Sequence, residues 1–145
     1  MVSRRLIQRQ RKILLGIAIA IPVVIVGRIL IGIDDWGRDW STNYAEVGPV
    51  GSDSTPNELT DQICLWIGEQ AQWKLQSADR SVPTEHHLKL TRKTLILSFT
   101  DDIEVKIAGK ENGTSDIFAS SRSRIGKGDL GQNPRNLKEL LSAVQ

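Results

Sequence analysis

Apolar residues are most concentrated in one long run near the N-terminus. Residues 13–33 read ILLGIAIAIPVVIVGRILIGI, and Arg28 is the only charged residue among them. At about 1.5 Å per residue, a helix of this length spans about 30 Å, the thickness of the hydrocarbon core of a bilayer. The run therefore predicts a single transmembrane helix. Arg28 lies close to its C-terminal end, where the side chain would either reach the headgroups or face a partner helix.

Aromatic residues follow the apolar run at intervals of four. If the helix continues, Trp36, Trp40 and Tyr44 share one face, where their rings would lie at headgroup level or pack on the following domain. The stretch EVGPVGSDSTP comes next and is rich in Gly, Pro, Ser and Asp, which is typical of a linker. We therefore assign residues 34–54 to an interfacial segment and linker.

Helical periodicity and capping signals predict two helices in the remainder of the chain, residues 55–145. Thr55 and Glu58 have the spacing of a capping box around Pro56, and the apolar face of the helix that follows contains Leu59, Ile63, Trp66 and Ile67. The second helix is expected to have Asn133 as its cap and Pro134 as its first residue. Its apolar face contains Leu137, Leu140, Leu141 and Val144.

Between the two helices, the pattern predicts strands joined by short turns. The expected strands are QWKLQS, HHLKLT, LILSF, IEVKI and DIFASS, and SADRSVPTE is expected to be a loop. Asn112-Gly113 lies between the last two strands and indicates a hairpin. Consecutive hairpins predict an α+β domain, in which a small antiparallel sheet is packed with two helices.

The distribution of charge orients the chain and limits its partners. The chain has 19 Lys and Arg and 17 Asp and Glu, but its basic tail, residues 1–12, alone carries +5. The positive-inside rule places this tail in the cytoplasm or stroma and the C-terminal domain on the periplasmic or lumenal side. No A-x-A-like cleavage site follows the apolar run, so we expect an uncleaved anchor. From residue 46 onward the acidic residues outnumber the basic ones by 14 to 12, which argues against a nucleic-acid partner.

A glycine-rich stretch near the C-terminus matches G-x-G-x-x-G. The match is GKGDLG, residues 126–131, and in a dinucleotide site a second strand and an acidic residue would follow it. Only 14 residues follow Gly131, and the strands before the glycines connect as hairpins rather than crossovers. We therefore expect no dinucleotide site.

Two motifs instead resemble the paired signature of the family called domain of unknown function 1499. They are FTDDIEVKI and SSRSRIGKGDLGQN, and the resemblance covers residues 72–141. The matching residues are Phe99, Asp101, Asp102 and Glu104 in the first motif, and Ser121, Ser123, Arg124, Gly126, Asp129, Gly131 and Asn133 in the second. The chain departs from the family where it has Ser120 and Asn136, since an arginine often stands at each of these positions. It also lacks the cysteine-containing segment that often precedes the first helix. The resemblance implies a fold and candidate residues, and it implies no reaction.

The charges of the two motifs allow two interpretations. If Arg124 pairs with Asp102 or Glu104, the pair would pin the glycine-rich loop to the sheet, and Asp129 would cap or turn the loop. Alternatively, backbone N–H groups together with Arg124 and Lys127 would hold a phosphate or a lipid headgroup.

Catalytic chemistry is the least supported reading of these residues. Metal chemistry by His86, His87 and the carboxylates is awkward, because adjacent residues of a strand point to opposite faces. No set of nucleophile, base and orienting group is visible, so we assign no catalytic residue, cofactor or metal.

These observations favour a membrane-anchored, non-catalytic accessory or binding module associated with a membrane protein complex. The alternative is a domain that binds lipid or an anionic ligand at the membrane surface, and a hydrolase or metal enzyme is the third reading. The expected partners are the lipid bilayer, a membrane protein complex and anionic lipid, without nucleic acid.

Overall fold

Four helices and five strands form the part of the chain that the structure describes. The computed structural model describes residues 4–31, 35–94 and 98–144, without the side chains of residues 4–8, 28–31 and 36. In chain order the elements are α1 (Arg4–Ile31), α2 (Trp36–Ser41), β1 (Tyr44–Ser52), α3 (Pro56–Glu69), β2 (Trp73–Val82), β3 (Glu85–Lys93), β4 (Thr100–Gly109), β5 (Ser115–Ser123) and α4 (Gln132–Ser142).

The five strands form one antiparallel sheet in the order β1-β5-β4-β3-β2. Strands β2 to β5 follow one another as a meander, and β1 adds to the free edge of β5. As a result, α2, the β3–β4 connection and the segment after β5 all lie at one end of the sheet. The predicted α+β class and antiparallel sheet are confirmed.

Both domain helices, α3 and α4, cover the same face of the sheet. Alternation places Leu90, Ile103 and Ser121 side by side on that face, since they are direct cross-strand partners. The hydrophobic core consists of Leu59, Ile63, Ile67, Trp73, Leu88, Leu90, Ile103, Val105, Ile107, Ile117, Ala119, Leu137, Leu140 and Val144. No other described element covers the opposite face, which we call the open face.

The predicted start of α3 is confirmed in detail. Thr55 is the N-cap, its hydroxyl oxygen accepts from the backbone N–H of Glu58, and the Glu58 carboxylate accepts from the backbone N–H of Thr55 at 2.8 Å. Pro56 occupies the first turn, where its missing N–H would have had no helical partner. The capping box thus fixes where the first domain helix begins.

Strand β1 lies in the segment that the sequence indicates as a linker. Its register with β5 is interrupted between Val47 and Val50, around Gly48-Pro49. Gly48 has φ +132°, and a Cβ there would lie 2.8 Å from the Ile117 carbonyl oxygen. Glycine and proline are tolerated because β1 is an edge strand with an irregularity at this point. The segment therefore forms a strand although its composition is typical of a linker.

The strands β2 and β3 are longer than the pattern predicts. Residues 77–82, expected in a loop, belong to β2, and Glu85 already begins β3. The register shifts between Leu75 and Ser77 and again between Asp79 and Val82, which breaks the alternation that would mark a strand. In the expected strand LILSF, residues 95–97 lie outside the described residues, and Ser98 and Phe99 precede β4 without belonging to a strand.

The helix α4 begins two residues earlier than expected. Its first residue is Gln132 and its N-cap is Gly131, at φ +75°, so the expectation that Asn133 caps the helix is wrong. The Asp129 carboxylate performs the capping role by accepting from the N–H groups of Gly131 and Asn133, at 2.9 and 2.8 Å. The side chain of Asn133 is therefore available to enter the interior.

The N-terminal helix α1 is long and apolar enough, from Arg9 to Gly27, to cross a membrane by length and composition. The backbone of Arg28 belongs to α1, and its side chain lies outside the described residues, as does that of Trp36. Tyr44 is the first residue of β1, so the expectation that it shares a helical face with Trp36 and Trp40 is wrong. The helix α2 ends at Ser41. The next residue, Thr42, is already extended, and the chain enters β1 at Tyr44.

Candidate functional site

The second motif forms a loop that docks on the short helix α2. This glycine loop, residues 124–131, connects β5 to α4. The backbone N–H of Leu130 donates to the Asp39 carbonyl at 2.9 Å, and that of Asp129 donates to the Thr42 carbonyl at 3.3 Å. The Asn43 side chain donates to the Gly126 carbonyl at 2.8 Å. The loop is therefore tied to the segment that leads from α1 into the sheet.

Two of the three motif glycines are required by this docking. A Cβ on Gly128 would collide with the carbonyl group of Trp40 and would lie 2.8 Å from the Asp39 carbonyl oxygen. A Cβ on Gly131 would lie 2.6 Å from the Asp39 carboxylate, and Gly131 also has positive φ. Gly128 thus allows two backbones to approach closely, and Gly131 leaves room for the Asp39 carboxylate, which is a structural use of the G-x-G-x-x-G pattern.

A buried polar cluster joins the two motifs to each other. It comprises Asp101 of β4, Ser121 and Ser123 of β5, and Asn133 and Asn136 of α4, all buried. Within the cluster, Ser121 donates to Asn133 at 2.6 Å and Asn133 donates to Ser123 at 3.2 Å. Asn136 donates to Asp101 at 2.9 Å and lies 3.1 Å from the Ser121 hydroxyl. Hydrogen bonds inside a low-dielectric interior are geometrically demanding, so the cluster fixes α4 on the sheet.

The burial of Asp101 distinguishes this cluster from an open catalytic site. Asp101 is 1% exposed, Ser121 1%, and both asparagines are fully buried beneath α4. Among the described residues, Asp101 Oδ1 has no hydrogen-bond partner, whereas Oδ2 accepts from Asn136. A substrate would reach this carboxylate only if α4 moved away from the sheet.

The predicted ion pair forms between Arg124 and Asp102. Arg124 donates to both carboxylate oxygens, from Nε at 2.8 Å and from Nη2 at 2.7 Å. The hydrogen bonds from Arg124 hold the pKa of Asp102 below its ordinary value. However, the two side chains are 56% and 47% exposed, so the pair lies in solvent at the edge of the open face. The pair therefore joins the glycine loop to β4 at the surface of the domain.

The open face carries charges of both signs in adjacent positions. Glu104 is exposed and lies opposite Lys89 in the sheet register. Arg122 lies over the ring of Tyr44 at 4.9 Å from its centroid, and the Tyr44 hydroxyl donates to Glu46 at 2.6 Å. A shallow depression of about 630 Å³ lies between these strands. Interspersed charge of this kind suits a polar protein surface better than a polyanion.

The remaining predicted residues lie at the end of the sheet that carries the glycine loop. Phe99 is 39% exposed and comes directly before β4. Lys127 is exposed and forms no ion pair with any described residue. Gly126 has φ +99°, which only glycine adopts without strain.

The two histidines point to opposite faces of β3. His86 is 1% exposed, and its Nδ1 lies 2.8 Å from the Thr60 hydroxyl. That hydroxyl donates to the Pro56 carbonyl, so it accepts the bond from His86. His87 is on the open face, 2.9 Å from Glu85. Across residues 4–31, 35–94 and 98–144, no three His, Cys, Asp or Glu side chains come together as metal ligands would.

Sequence reasoning missed three participants in these sites: Asp39, Asn43 and Asn136. Asn136 carried a signal, because it follows Asn133 by three positions and precedes Leu140 by four, on the buried face of α4. Asp39 and Asn43 carried none, since they act through contacts with residues more than eighty positions away.

Comparison with known proteins supports the motif assignment. The family model described as "Protein of unknown function (DUF1499)" matches residues 41–144. The matched range begins at the last residue of α2 and contains both motifs, the polar cluster and the glycine loop. No curated protein matches the chain.

Proposed function

The chain belongs to the DUF1499 family, and we propose that it is a membrane-anchored, non-catalytic binding module associated with a membrane protein complex. In this proposal, α1 spans the bilayer as a single-pass anchor with its basic end in the cytoplasm or stroma. The domain lies on the periplasmic or lumenal side and presents its open face to a protein partner.

One observation carries the proposal, namely the docking of the glycine loop on α2. The motif residues are used to fasten the domain to the segment that follows the apolar helix, and to fasten α4 to the sheet. These contacts hold the domain on the segment that directly follows its anchor, which keeps the domain close to the membrane. In contrast, catalytic groups face an accessible pocket, whereas the side chain of Asp101 is buried beneath α4.

The open face is the surface that we assign to the partner. It is left uncovered by α3 and α4, and residues such as Lys89 and Glu104 place opposite charges side by side across it. Complementary charge of this kind gives specificity and orientation in protein contacts.

Copurification tests the proposal. The full-length chain should be extracted in a mild detergent, and the proteins that remain attached should be identified by mass spectrometry. Glu104→Lys, on the open face, should release the partner. Lys138→Glu, exposed on α4 and away from that face, is the matched control and should retain it. If both variants retain the same partners as the parent, the open face is not the binding surface. If the parent retains none, the association with a complex fails.

Topology is tested separately from partner binding. A tag placed after residue 145 should be reached only from the side opposite the basic N-terminus, and the chain should remain membrane-bound with an intact Met1. A soluble product truncated within residues 34–46 would show that the apolar helix is a cleaved signal instead.

A second function is favoured by the chemistry of the glycine loop. The backbone N–H groups of residues 126–128 donate to no backbone carbonyl among the described residues, and the exposed Lys127 lies between two glycines. Such N–H groups and a cation together hold a phosphate or a lipid headgroup. Lys127→Ala should then weaken binding of anionic lipid in a salt-dependent way while the fold survives. Unchanged lipid binding at both low and high salt would exclude this function.

A further inference from the structure

The length of chain between α1 and α2 restricts where one end of the domain can lie. The helix α1 ends at Ile31 and α2 begins at Trp36, so four residues join them. A fully extended chain covers at most about 3.6 Å per residue, which limits the separation of the two helix ends to less than about 20 Å. Because the glycine loop is hydrogen-bonded to α2, the loop is held within a similar distance of the end of α1.

Three exposed side chains at this end of the sheet are large and apolar. Trp40 is 63% exposed, Ile125 62% and Phe99 39%. They belong to one surface, because Gly128 lies against the Trp40 carbonyl and the backbone N–H of Arg124 donates to the carbonyl of Thr100, next to Phe99, at 3.0 Å. At the other end of the sheet, the turn of residues 110–114 reads KENGT and contains no large apolar residue, while Val82, beside the second turn at that end, is 50% exposed.

The exposed cation of this surface is also suited to a bilayer. Lys127 lies in the chain between Ile125 and Gly128, the residue that contacts α2. It forms no ion pair with any described residue. Aromatic and aliphatic side chains beside lysine are the composition of segments that lie in the interfacial region of membranes. The tether through α1 selects the bilayer as the occupant, since it keeps this surface within about 25 Å of the end of the apolar helix in every copy of the chain.

We propose that Trp40, Phe99, Ile125 and Lys127 form a second membrane contact, by which the domain rests on the bilayer surface beside its own anchor. This inference rests on the proposed membrane anchoring. In this arrangement the strands run away from the membrane, and the open face is turned sideways, toward a protein that lies beside the chain in the same membrane.

Depth-dependent fluorescence quenching in vesicles tests this contact on the full-length chain. Cys64 is the only cysteine, so Cys64→Ser provides a background for single probe sites. A nitrobenzoxadiazole probe is attached at Ile125→Cys and at the matched control Glu111→Cys in the far turn, and the vesicles contain lipid with a nitroxide quencher on the acyl chain. We expect at least about twofold more quenching at position 125 than at position 111, as for an interfacial residue. Equal quenching at the two positions would overturn the second contact.

A probe within the anchor separates failure of the contact from failure of the anchoring. Ile19→Cys lies in the apolar span and should be strongly quenched. If position 19 is quenched and position 125 is not, the anchor stands and the surface contact is wrong. If position 19 is not quenched, membrane anchoring fails and the contact fails with it.

A measurement on the unlabelled chain covers the case in which a cysteine variant does not fold. Hydrogen exchange of the natural chain in vesicles should be slower for residues 125–128 than for the far turn, residues 110–114. In the far turn, the N–H groups of Lys110 and Gly113 donate to backbone carbonyls, whereas those of residues 126–128 donate to none among the described residues, so slower exchange in the glycine loop requires the bilayer to cover it. Exchange in the glycine loop as fast as in the far turn would overturn the proposal.

Discussion

The backbone of Gly128 packs directly against the carbonyl group of Trp40, and the two residues are 88 positions apart in the chain. This contact places the end of the second motif on the helix that follows the apolar span. It leaves no room for a side chain, since a Cβ on Gly128 would also lie 2.8 Å from the Asp39 carbonyl oxygen. The close approach of the two backbones explains the glycine at this position better than binding of a ligand does.

We therefore expect Gly128→Ala to lower the free energy of unfolding by about 1–3 kcal/mol, because one of the two backbones must shift to admit the methyl group. Urea unfolding of the detergent-solubilised chain, followed by tryptophan fluorescence, measures the effect. Gly68→Ala is the matched control. Gly68 lies in α3 with nothing within 4 Å of its added Cβ, so alanine there should be neutral or stabilise by up to about 1 kcal/mol. Equal stability of the two variants would contradict the docking.

The polar cluster predicts a large effect at Asn136, where the chain departs from the family motif. Asn136 is fully buried and donates to the buried carboxylate of Asp101. Asn136→Leu should destabilise the domain by about 1–3 kcal/mol, because it leaves a buried carboxyl group without its hydrogen-bond donor. Lys138→Ala, exposed on the same helix, should change stability by less than about 0.5 kcal/mol.

A double variant shows whether the loss arises from the carboxylate. Asp101→Leu combined with Asn136→Leu replaces both partners by apolar groups and should recover part of the stability lost in the single variant. If the two effects simply add, the contact between the two side chains does not carry the cost.

Much of the domain followed from local signals in the sequence. The capping box predicted where α3 begins, and Asn112-Gly113 predicted the hairpin between β4 and β5. The alternation of β4 also predicts a feature that was not recognised from the sequence. Asp101 has the same parity as Ile103, so its side chain had to face the core.

The features that were missed depend on contacts between distant parts of the chain. The strand β1 contains Gly48, Pro49 and Gly51, which have low strand propensity, and its pairing with β5 is what makes it a strand. The hydrogen bonds from Asp129 and Leu130 to the chain around α2 join backbone atoms, which leave no side-chain pattern to recognise. The composition of the loop suggested a ligand, whereas part of that composition serves the contact with α2.

The environment of His86 predicts which of its two ring nitrogens carries the proton. Because the Thr60 hydroxyl donates to the Pro56 carbonyl, it must accept from His86, which fixes the proton on Nδ1. Nitrogen chemical shifts of the imidazole should show this tautomer. Thr60→Val should destabilise the domain by about 1–3 kcal/mol, and Thr60→Ser should retain most of the stability because it keeps the hydroxyl. A histidine with its proton on Nε2 would contradict the assignment.

The pair between Arg124 and Asp102 predicts a weak effect at neutral pH. Both side chains are about half exposed, so solvent screens their attraction and neither is left buried without a partner when the other is removed. Arg124→Ala should melt close to the parent and close to Lys127→Ala, a substitution of an exposed cation in the same loop. A strongly lowered melting temperature for Arg124→Ala alone would show that the pair supports the loop after all.

Acid titration reveals the same pair through the pKa of Asp102. Arg124 lowers the pKa of Asp102 in the folded state, so the folded state binds a proton at this carboxylate less readily than the unfolded chain does. The contribution of the pair to stability is therefore fully present above the unfolded pKa of about 3.9, and it is lost as the pH falls through the lower folded value.

The difference in the free energy of unfolding between the parent and Asp102→Asn should be constant above about pH 5 and should shrink below about pH 4. Arg124→Ala should show the same acid behaviour as Asp102→Asn, because removing either partner abolishes the shift. Unfolding curves at a series of pH values measure both differences. A gap between parent and variant that widens toward low pH would mean that Asp102 is not stabilised by Arg124.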